Sequence, residues 1–217
     1  LANAQNNVNA INASQTIAPS QIFYVRFQST SECPIVAKLT VTLDQITTSN
    51  ASLTACATTN GTAIFNLNNA NITTTAGTTV TFFADATLTT PITTPATYPS
   101  LGGTVYANVT SAFGCSKVAQ ITLVVNPLPN INTTNFNGAL CDDNLDGVVN
   151  VDFSTISPQI VTNSGSFIIK YYLTAAAATA GGNNNLANNW TYTANTTVYV
   201  RVESANGCTP AFGQINF

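Results

Sequence analysis

Apolar and polar residues alternate with period two in three stretches that resemble one another. Val198-Tyr199-Val200-Arg201-Val202-Glu203 leads through Ser204-Ala205-Asn206-Gly207 to Cys208 and a second alternating run at 211–217. Val105-Tyr106-Ala107-Asn108-Val109 leads to Gly114-Cys115 and a run at 118–125, and Phe23-Tyr24-Val25-Arg26-Phe27 leads to Glu32-Cys33 and a run at 35–43. Successive side chains of a strand point to opposite faces, so this alternation predicts strands with one face on a core. A short polar turn between two such runs predicts an antiparallel hairpin. The cysteines closing the turns are spaced by 82 residues from Cys33 to Cys115 and by 93 from Cys115 to Cys208, the period of one small sandwich. The expected fold is all-β: tandem Ig-like antiparallel β-sandwich repeats.

Three segments follow. Residues 1–43 read as the C-terminal half of a truncated repeat, since 1–7 align with 173–179 and Phe23-Tyr24-Val25-Arg26 with Val198-Tyr199-Val200-Arg201. Residues 44–127 read as a complete repeat with strands at 52–57, 62–67, 78–84, 103–110 and 118–125. Its stretch 88–101 carries Pro91, Pro95 and Pro99, which oppose helix and predict an extended crossover. Asn126-Pro127-Leu128-Pro129 predicts a stiff join, because two closely spaced prolines hold the backbone near polyproline geometry. Residues 128–217 read as a second complete repeat with an Asp-rich loop and strands at 138–141, 148–152, 166–173, 196–203 and 211–217. Within it, 156–161 reads as a helical turn or an extra short strand, and 175–180 as one helical turn inside a crossover loop. The polar start and the lack of an initiating Met fit an excised or processed piece of a longer protein without its own signal peptide.

Composition narrows the function. Only 6% of residues are charged, against about 25% in ordinary globular proteins, so Asn, Thr, Ser and Gln must solvate the surface. Five Lys and Arg make no basic patch, and no nucleic-acid partner is expected. No apolar run approaches the roughly 18 residues of a membrane span, so the chain is not expected to be membrane-embedded. Histidine is absent, which removes Ser-His-Asp and Cys-His catalysis and the commonest transition-metal ligand. Outside one cluster the acids, Glu32, Asp44, Asp85 and Glu203, stand singly. No enzyme is expected.

Cys56 and Cys115 bracket one repeat, and Cys141 and Cys208 the next. The expected disulfides are therefore Cys56–Cys115 and Cys141–Cys208, one in each complete repeat, with the partner of Cys33 upstream; buried free thiols in a reducing compartment are the alternative. No C-x-x-C is present, which argues against zinc.

Asp142, Asp143, Asp146 and Asp152 fall within eleven positions. Asp142-x-Asn144-x-Asp146-Gly147 matches the oxygen spacing of calcium loops, in which alternate side chains converge on a hard cation and the glycine permits the sharp turn. One Ca2+ is expected on Asp142, Asn144, Asp146, the carbonyl of Val148, and Asp152, which stands one place early for the last ligand of an EF-hand. A solvated acidic turn is the alternative. The matching stretch of the preceding repeat, Cys56-Ala57-Thr58-Thr59-Asn60-Gly61, has no carboxylate and should not bind.

Tyr171, Tyr172, Trp190, Tyr192, Tyr98 and Phe113 could stack on sugar rings, although strand aromatics more often fill a core. Trp190, with Tyr192, is the best candidate for an exposed binding position because it falls in an expected loop.

The Val198–Glu203 run with Gly207-Cys208, the Val124-Val125-Asn126-Pro127-Leu128-Pro129 join and Cys141-Asp142-Asp143-Asn144-Leu145-Asp146-Gly147 together resemble the repeats of giant surface adhesins of Bacteroidota. Those are the SprB-type proteins of gliding motility and their relatives, exported by type IX secretion. The resemblance implies an extracellular, cell-surface module of an adhesive filament, with neighbouring repeats of the same chain and a surface polysaccharide or substratum as partners. The first complete repeat departs from it in lacking the Asp-rich loop. Two other readings stand beside it: a glycan-binding module of a secreted enzyme, and a self-polymerising fibre subunit whose truncated unit is completed by strand exchange.

Overall fold

The computed structural model describes residues 1–217 apart from 7–8, 13, 19, 29–32, 137–139 and 143. The turn expected through Glu32, the start of the strand expected at 138–141, and Asp143 lie outside the described residues.

The first strands are β1 (Ser20–Phe27) and β2 (Ile35–Thr42), preceded by the short helix α1 (Ala2–Gln5). Next come β3 (Ala51–Cys56), β4 (Ala63–Phe65), β5 (Thr79–Phe83), β6 (Tyr98–Ser100), β7 (Gly103–Thr110) and β8 (Ser116–Asn126). The last part holds β9 (Val149–Asp152), α2 (Phe153–Ile160), β10 (Phe167–Tyr172), α3 (Ala175–Ala180), β11 (Asn189–Tyr192), β12 (Thr197–Ser204) and β13 (Ala211–Asn216). The sheets run β1-β2, β3-β8-β7-β5, β4-β6, β9-β11 and β10-β12-β13. The chain is all-β with tandem Ig-like repeats.

Two compact units result, Leu1–Ala51 with Asn71–Pro91 and Tyr106–Gln120, and Ser52–Ala70 with Ile92–Val105 and Ile121–Phe217. In the first, β1 and β2 form an antiparallel hairpin in register from Ser20 opposite Thr42 to Phe27 opposite Ile35. No residue of either strand is buried: Val25 is 39% exposed and Phe27 60%. In the same unit β5 lies antiparallel to β7, with Phe82 opposite Ala107 and Thr81 opposite Asn108. Phe82, Ala107 and Val109 are buried, and the residues between them face out or lie half-buried, as period-two strands require.

In the second unit β12 is the central strand of its sheet, in register with β10 on one side and β13 on the other. Its Val198, Val200 and Val202 are wholly buried, while Tyr199, Arg201 and Glu203 point to the other face. These valines meet Val151, Phe153, Ile156, Ile160, Val161, Tyr171 and Ile215 in one core. Of the segment 156–161, read as a helical turn or a short strand, 156–160 belong to α2 and Val161 is extended and bridges Ile131. Phe153, Ile156 and Ile160 repeat every three or four residues and turn one stripe into the core. Asp152 caps that helix, accepting from the Ser154 amide at 2.9 Å and the Ser154 hydroxyl at 2.6 Å. Pro158 lies inside the helix and removes one internal hydrogen bond. The alanine run forms α3, with the Thr174 hydroxyl accepting from the Ala177 amide at 3.2 Å.

Two strands go beyond the sequence reading. β6 lies inside the proline-rich stretch and pairs with β4, Pro99 opposite Ile64. Proline fits there because β4-β6 is two-stranded and leaves one edge of β6 unpaired. β11 occupies what was expected to be a loop around Trp190 and pairs with β9, Trp190 opposite Val151.

Candidate functional site

The covalent feature of the fold is a disulfide between Cys56 and Cys208, with Cα atoms 5.6 Å apart. Cys56 is the last residue of β3, and Cys208 follows the turn out of β12. That turn closes through a bond from the Gly207 amide to the Ser204 carbonyl at 3.1 Å, with Gly207 at φ +73°, where a side chain would be strained. Asn126, at the end of β8, ties the surroundings together. Its carbonyl accepts from the Ala57 amide at 2.8 Å, and its side-chain oxygen accepts from the Asn206 side-chain amide at 3.1 Å.

This pairing corrects the expectation of one bridge inside each repeat. Cys56 is not joined to Cys115, nor Cys141 to Cys208; Cys33, Cys115 and Cys141 are exposed thiols. Repeat spacing marks equivalent cysteines but carries no information on which repeat supplies the partner, and a disulfide forms wherever two Cβ atoms come within about 4.5 Å. Beside Cys115, the hydrogen bond and negative charge of Asp44 push the thiol above its ordinary range. Asp44 also accepts from the Ser111 hydroxyl.

Two arginines that the sequence reading aligned but gave no role share one job. Arg201 Nη1 donates to the carbonyls of Ala178 at 3.0 Å and Thr179 at 2.8 Å, acceptors in the last turn of α3 that lack a helical partner further on. Arg26 Nη1 donates to the carbonyls of Ala4, at 3.1 Å, and Gln5 in α1. In both places a half-buried strand arginine caps a short helix about 22 residues upstream. Arg201 also pairs with Glu203, which Lys170 reaches at 3.3 Å, and stacks its guanidinium 5.3 Å from the Phe212 ring centre. The bond from Arg201, then those from Lys170, hold Glu203 below the usual carboxylate range. The recurrence of Arg at the end of both Tyr-Val-Arg runs was the available signal.

The acidic loop is a set of side-chain turns. Asp142 accepts from the Asp146 amide at 3.3 Å and the Gly147 amide at 2.8 Å, Asp146 from the Val148 amide at 2.8 Å, and the Asn144 amide group donates to Asp146 at 2.8 Å. Gly147 has φ +82°. Among the described residues no three His, Cys, Asp or Glu side chains form a metal-holding group. Asp152 is taken up by the helix cap, whose bonds from Ser154 depress its pKa. The matching turn of the first repeat closes without carboxylates, by the Gly61 amide donating to the Thr58 carbonyl at 2.9 Å.

Trp190 and Tyr192 do not form an open platform. Trp190 stacks on Phe153 with ring centres 6.1 Å apart and on Tyr192 at 5.7 Å, and Phe217 lies 5.3 Å from Tyr192. Both are half-buried against the core, so the exposed-loop position expected for Trp190 is corrected. Tyr171 and Tyr172 are buried, while Phe113 is 83% exposed.

A bridge running from the first complete repeat to the second is the decisive observation, and a family profile carries the same feature in its description. The profile of the Flavobacterium inter-domain disulphide bond domain matches residues 52–129 and again 137–216. The chain belongs to this family. Cys56 falls in the first match and Cys208 in the second, so the bridge joins two tandem copies of the domain. No curated protein matches the chain. Among solved structures it is similar to the I67–I69 fragment of the titin I-band, at 11% identity and a TM-score of 0.38 over 93% of this chain and 65% of that one. It is also similar to the human desmocollin-1 ectodomain, at 10% identity and 0.27 over 91% and 43%. A third is a Bacteroides ovatus mixed-linkage glucan utilization protein, SGBP-B, solved with a mixed-linkage heptasaccharide, at 13% and 0.23 over 92% and 47%. The chain spans less than two thirds of each of these structures. No helix among the described residues is long and apolar enough to cross a membrane.

Proposed function

We propose that this tandem of inter-domain disulphide bond domains is a structural and adhesive segment of an extracellular, cell-surface filament of SprB-type character, exported by type IX secretion and used in surface attachment and gliding. The observation that carries the reading is the Cys56–Cys208 bridge. A covalent tie between successive repeats resists separation under load and persists only in an oxidising compartment. The sparse charge and Asn/Thr-rich surface suit a long solvated stalk rather than a steered encounter with an ionic ligand. Neighbouring repeats are the first partners, and a surface polysaccharide or substratum the second. A non-enzymatic role fits the absence of histidine from the sequence.

Calcium belongs to this reading as a local stiffener of the second repeat. Asp142, Asn144, Asp146 and the Val148 carbonyl supply oxygens within one turn, and each oxygen retains lone pairs beyond the amide bonds it accepts. The proposed site leaves Asp152, expected as the last ligand, to the helix cap it forms with Ser154.

The test is on intact cells that make the protein. An antibody raised against residues 52–217 should label them without permeabilisation, and its Fab fragment should reduce attachment to glass or agar. Labelling that needs permeabilisation sinks the surface reading; labelling with unchanged attachment sinks the adhesive one. Bound fluorescent Fab should travel along gliding cells, and a stationary label removes the motility part.

A further inference from the structure

Between β5 and β7 the chain reads Thr89-Thr90-Pro91-Ile92-Thr93-Thr94-Pro95-Ala96-Thr97-Tyr98-Pro99, which is Thr-Thr-Pro twice and then Thr-Tyr-Pro at a period of four. A proline at every fourth position excludes α-helix and central strand. The structure turns the threonines between the last two prolines and Ile92 outward. Ile92, Pro95 and Tyr98, every third residue, are half-buried, while Thr93, Thr94 and Thr97 are exposed. Residues 95–97 form a 3-10 turn, whose three residues per turn keep that period, and β6 then fixes the end of the stretch by pairing Tyr98 with Phe65 and Ser100 with Ala63.

The neighbouring hydroxyls are already engaged. Those of Thr87 and Thr89 donate to the Asp85 carboxylate, to which the Thr90 amide also donates at 2.7 Å. Ser100 Oγ donates to the Gly102 carbonyl at 3.3 Å and accepts from the Gly102 amide at 3.1 Å. Among the described residues no partner takes up the hydroxyl of Thr93, Thr94 or Thr97. Thr94 stands at the cap of the 3-10 turn, where a threonine oxygen ordinarily accepts from an amide, and makes no such bond. Three exposed, unengaged hydroxyls are thus held within five positions of a proline-punctuated segment.

We propose that Thr93, Thr94 and Thr97 are attachment sites for O-linked sugar. Threonine-rich segments broken by proline have the composition of glycosylated stalks. In the transfer, the threonine Oγ attacks the anomeric carbon of a glycosyl diphosphate bound by a transferase. The new Oγ–carbon bond forms as the bond from that carbon to the diphosphate oxygen breaks, the diphosphate leaves with the electron pair, and the hydroxyl proton passes to a base of the transferase. Sugar rather than phosphate follows from the charges: no Lys or Arg lies between Lys38 and Lys117, so a phosphate dianion would find no cation in this stretch. A glycan needs none, and its hydroxyls add hydration to a surface with few charges of its own.

The inference rests on the reading as an extracellular segment, and the outcomes separate their failures. Native protein from its cells is reduced, alkylated and cut with trypsin and with a protease that cleaves before aspartate, which releases 85–117. Mass spectrometry with electron-transfer fragmentation should find this peptide heavier by whole sugar residues, located on Thr93, Thr94 or Thr97. The same peptide from chain made by cell-free synthesis should have the unmodified mass. T93A/T94A/T97A made in the native cells should lose the added mass, and T87A/T89A should keep it. An unmodified native peptide overturns the inference. If the Fab still labels intact cells, the extracellular reading stands; if labelling needs permeabilisation, both fall. Sugar confined to Thr87, Thr89, Ser100 or Asn108 overturns the choice of hydroxyls, and phosphate on Thr93, Thr94 or Thr97 overturns the chemistry.

Discussion

Cys56 and Cys208 are bonded across 152 positions of sequence. In the chain-entropy view, closing a loop of that length removes about 5 kcal/mol of freedom from the unfolded chain. Because the cost grows only with the logarithm of loop length, two bridges of roughly 60 residues would each have come within 1 kcal/mol of it. Magnitude therefore does not separate the pairings, but substitution does. C208S and C56S should each lower the denaturant midpoint by a similar amount, and C56S/C208S should add little further. C115S should leave the midpoint unchanged; an equal loss in C115S contradicts the bridge.

Arg201 gathers two carbonyls of α3, the Glu203 carboxylate and the Phe212 ring. Hydrogen bonds to a charged group contribute about 1.5–3 kcal/mol, so R201A should cost about 2 kcal/mol in denaturant unfolding. R201K should recover only part, because an ammonium is a point charge without the planar fork that reaches two carbonyls and a carboxylate together. Gly181, at the end of α3 with φ +71°, leaves space that a Cβ would fill 3.3 Å from that guanidinium. G181A should therefore weaken the same arrangement. Full recovery in R201K would show that charge alone matters.

Glu203 sets a pH dependence of known sign. Its folded pKa lies below the ordinary 4.5, first because of the bond from Arg201. Its stabilising contribution is therefore complete above the ordinary carboxylate range and is lost as pH falls through the depressed value. Melting temperatures of wild type and E203Q should differ at neutral pH and converge in acid. A difference that widens on acidification reverses the assignment.

The strands were legible because one-sided burial leaves a period-two trace: Val198, Val200 and Val202 alternate with polar residues and are all buried. β11 left no such trace, since four residues around Trp190 are too few for a period, and its aromatics read equally well as an exposed loop. The proline-rich stretch hid β6 because proline marks a crossover and an edge strand alike. The helix α2 was ambiguous because Pro158 breaks its sequence pattern, and its cap, Asp152, also fits the oxygen pattern of a cation loop. Oxygen-rich residues at turns serve caps, side-chain turns and cations with one chemistry, and only geometry tells them apart. The disulfide partners were beyond reach for a different reason: equivalent cysteines in repeats are interchangeable in sequence, and the choice between neighbours is made in three dimensions.

Asp44 acts on Cys115 across 71 positions of sequence, raising the thiol's pKa by a hydrogen bond first and its negative charge as well. Only the thiolate reacts, so the exposed Cys115 should alkylate slowly near neutral pH in the 217-residue chain. D44N should speed iodoacetamide labelling of Cys115 severalfold and leave labelling of Cys33 and Cys141 as it was. Peptide-resolved mass spectrometry gives the three rates separately. Uniform acceleration at all three would point to loosened folding instead.

The proposed calcium at the Asp142 turn can be followed through Trp190, the chain's one tryptophan, which lies in the second repeat opposite Val151 on β9, the strand that follows the turn. A ligand that binds only the folded state stabilises it by about 2.7 kcal/mol at one hundred times its dissociation constant. Chelation should accordingly lower the thermal midpoint seen in Trp190 fluorescence by several degrees, and added Ca2+ should restore it. D142N and D146N should abolish the response, because each removes a carboxylate from a loop with few others. D152N should keep it, since a side-chain oxygen remains for the Ser154 cap and the proposed site is built without this residue. A midpoint that ignores chelator and Ca2+ alike leaves the loop as a self-contained turn, held by the amide bonds of Asp146, Gly147 and Val148. Loss of the response in D152N would instead return Asp152 to the ligand set and require α2 to give up its cap when the ion binds.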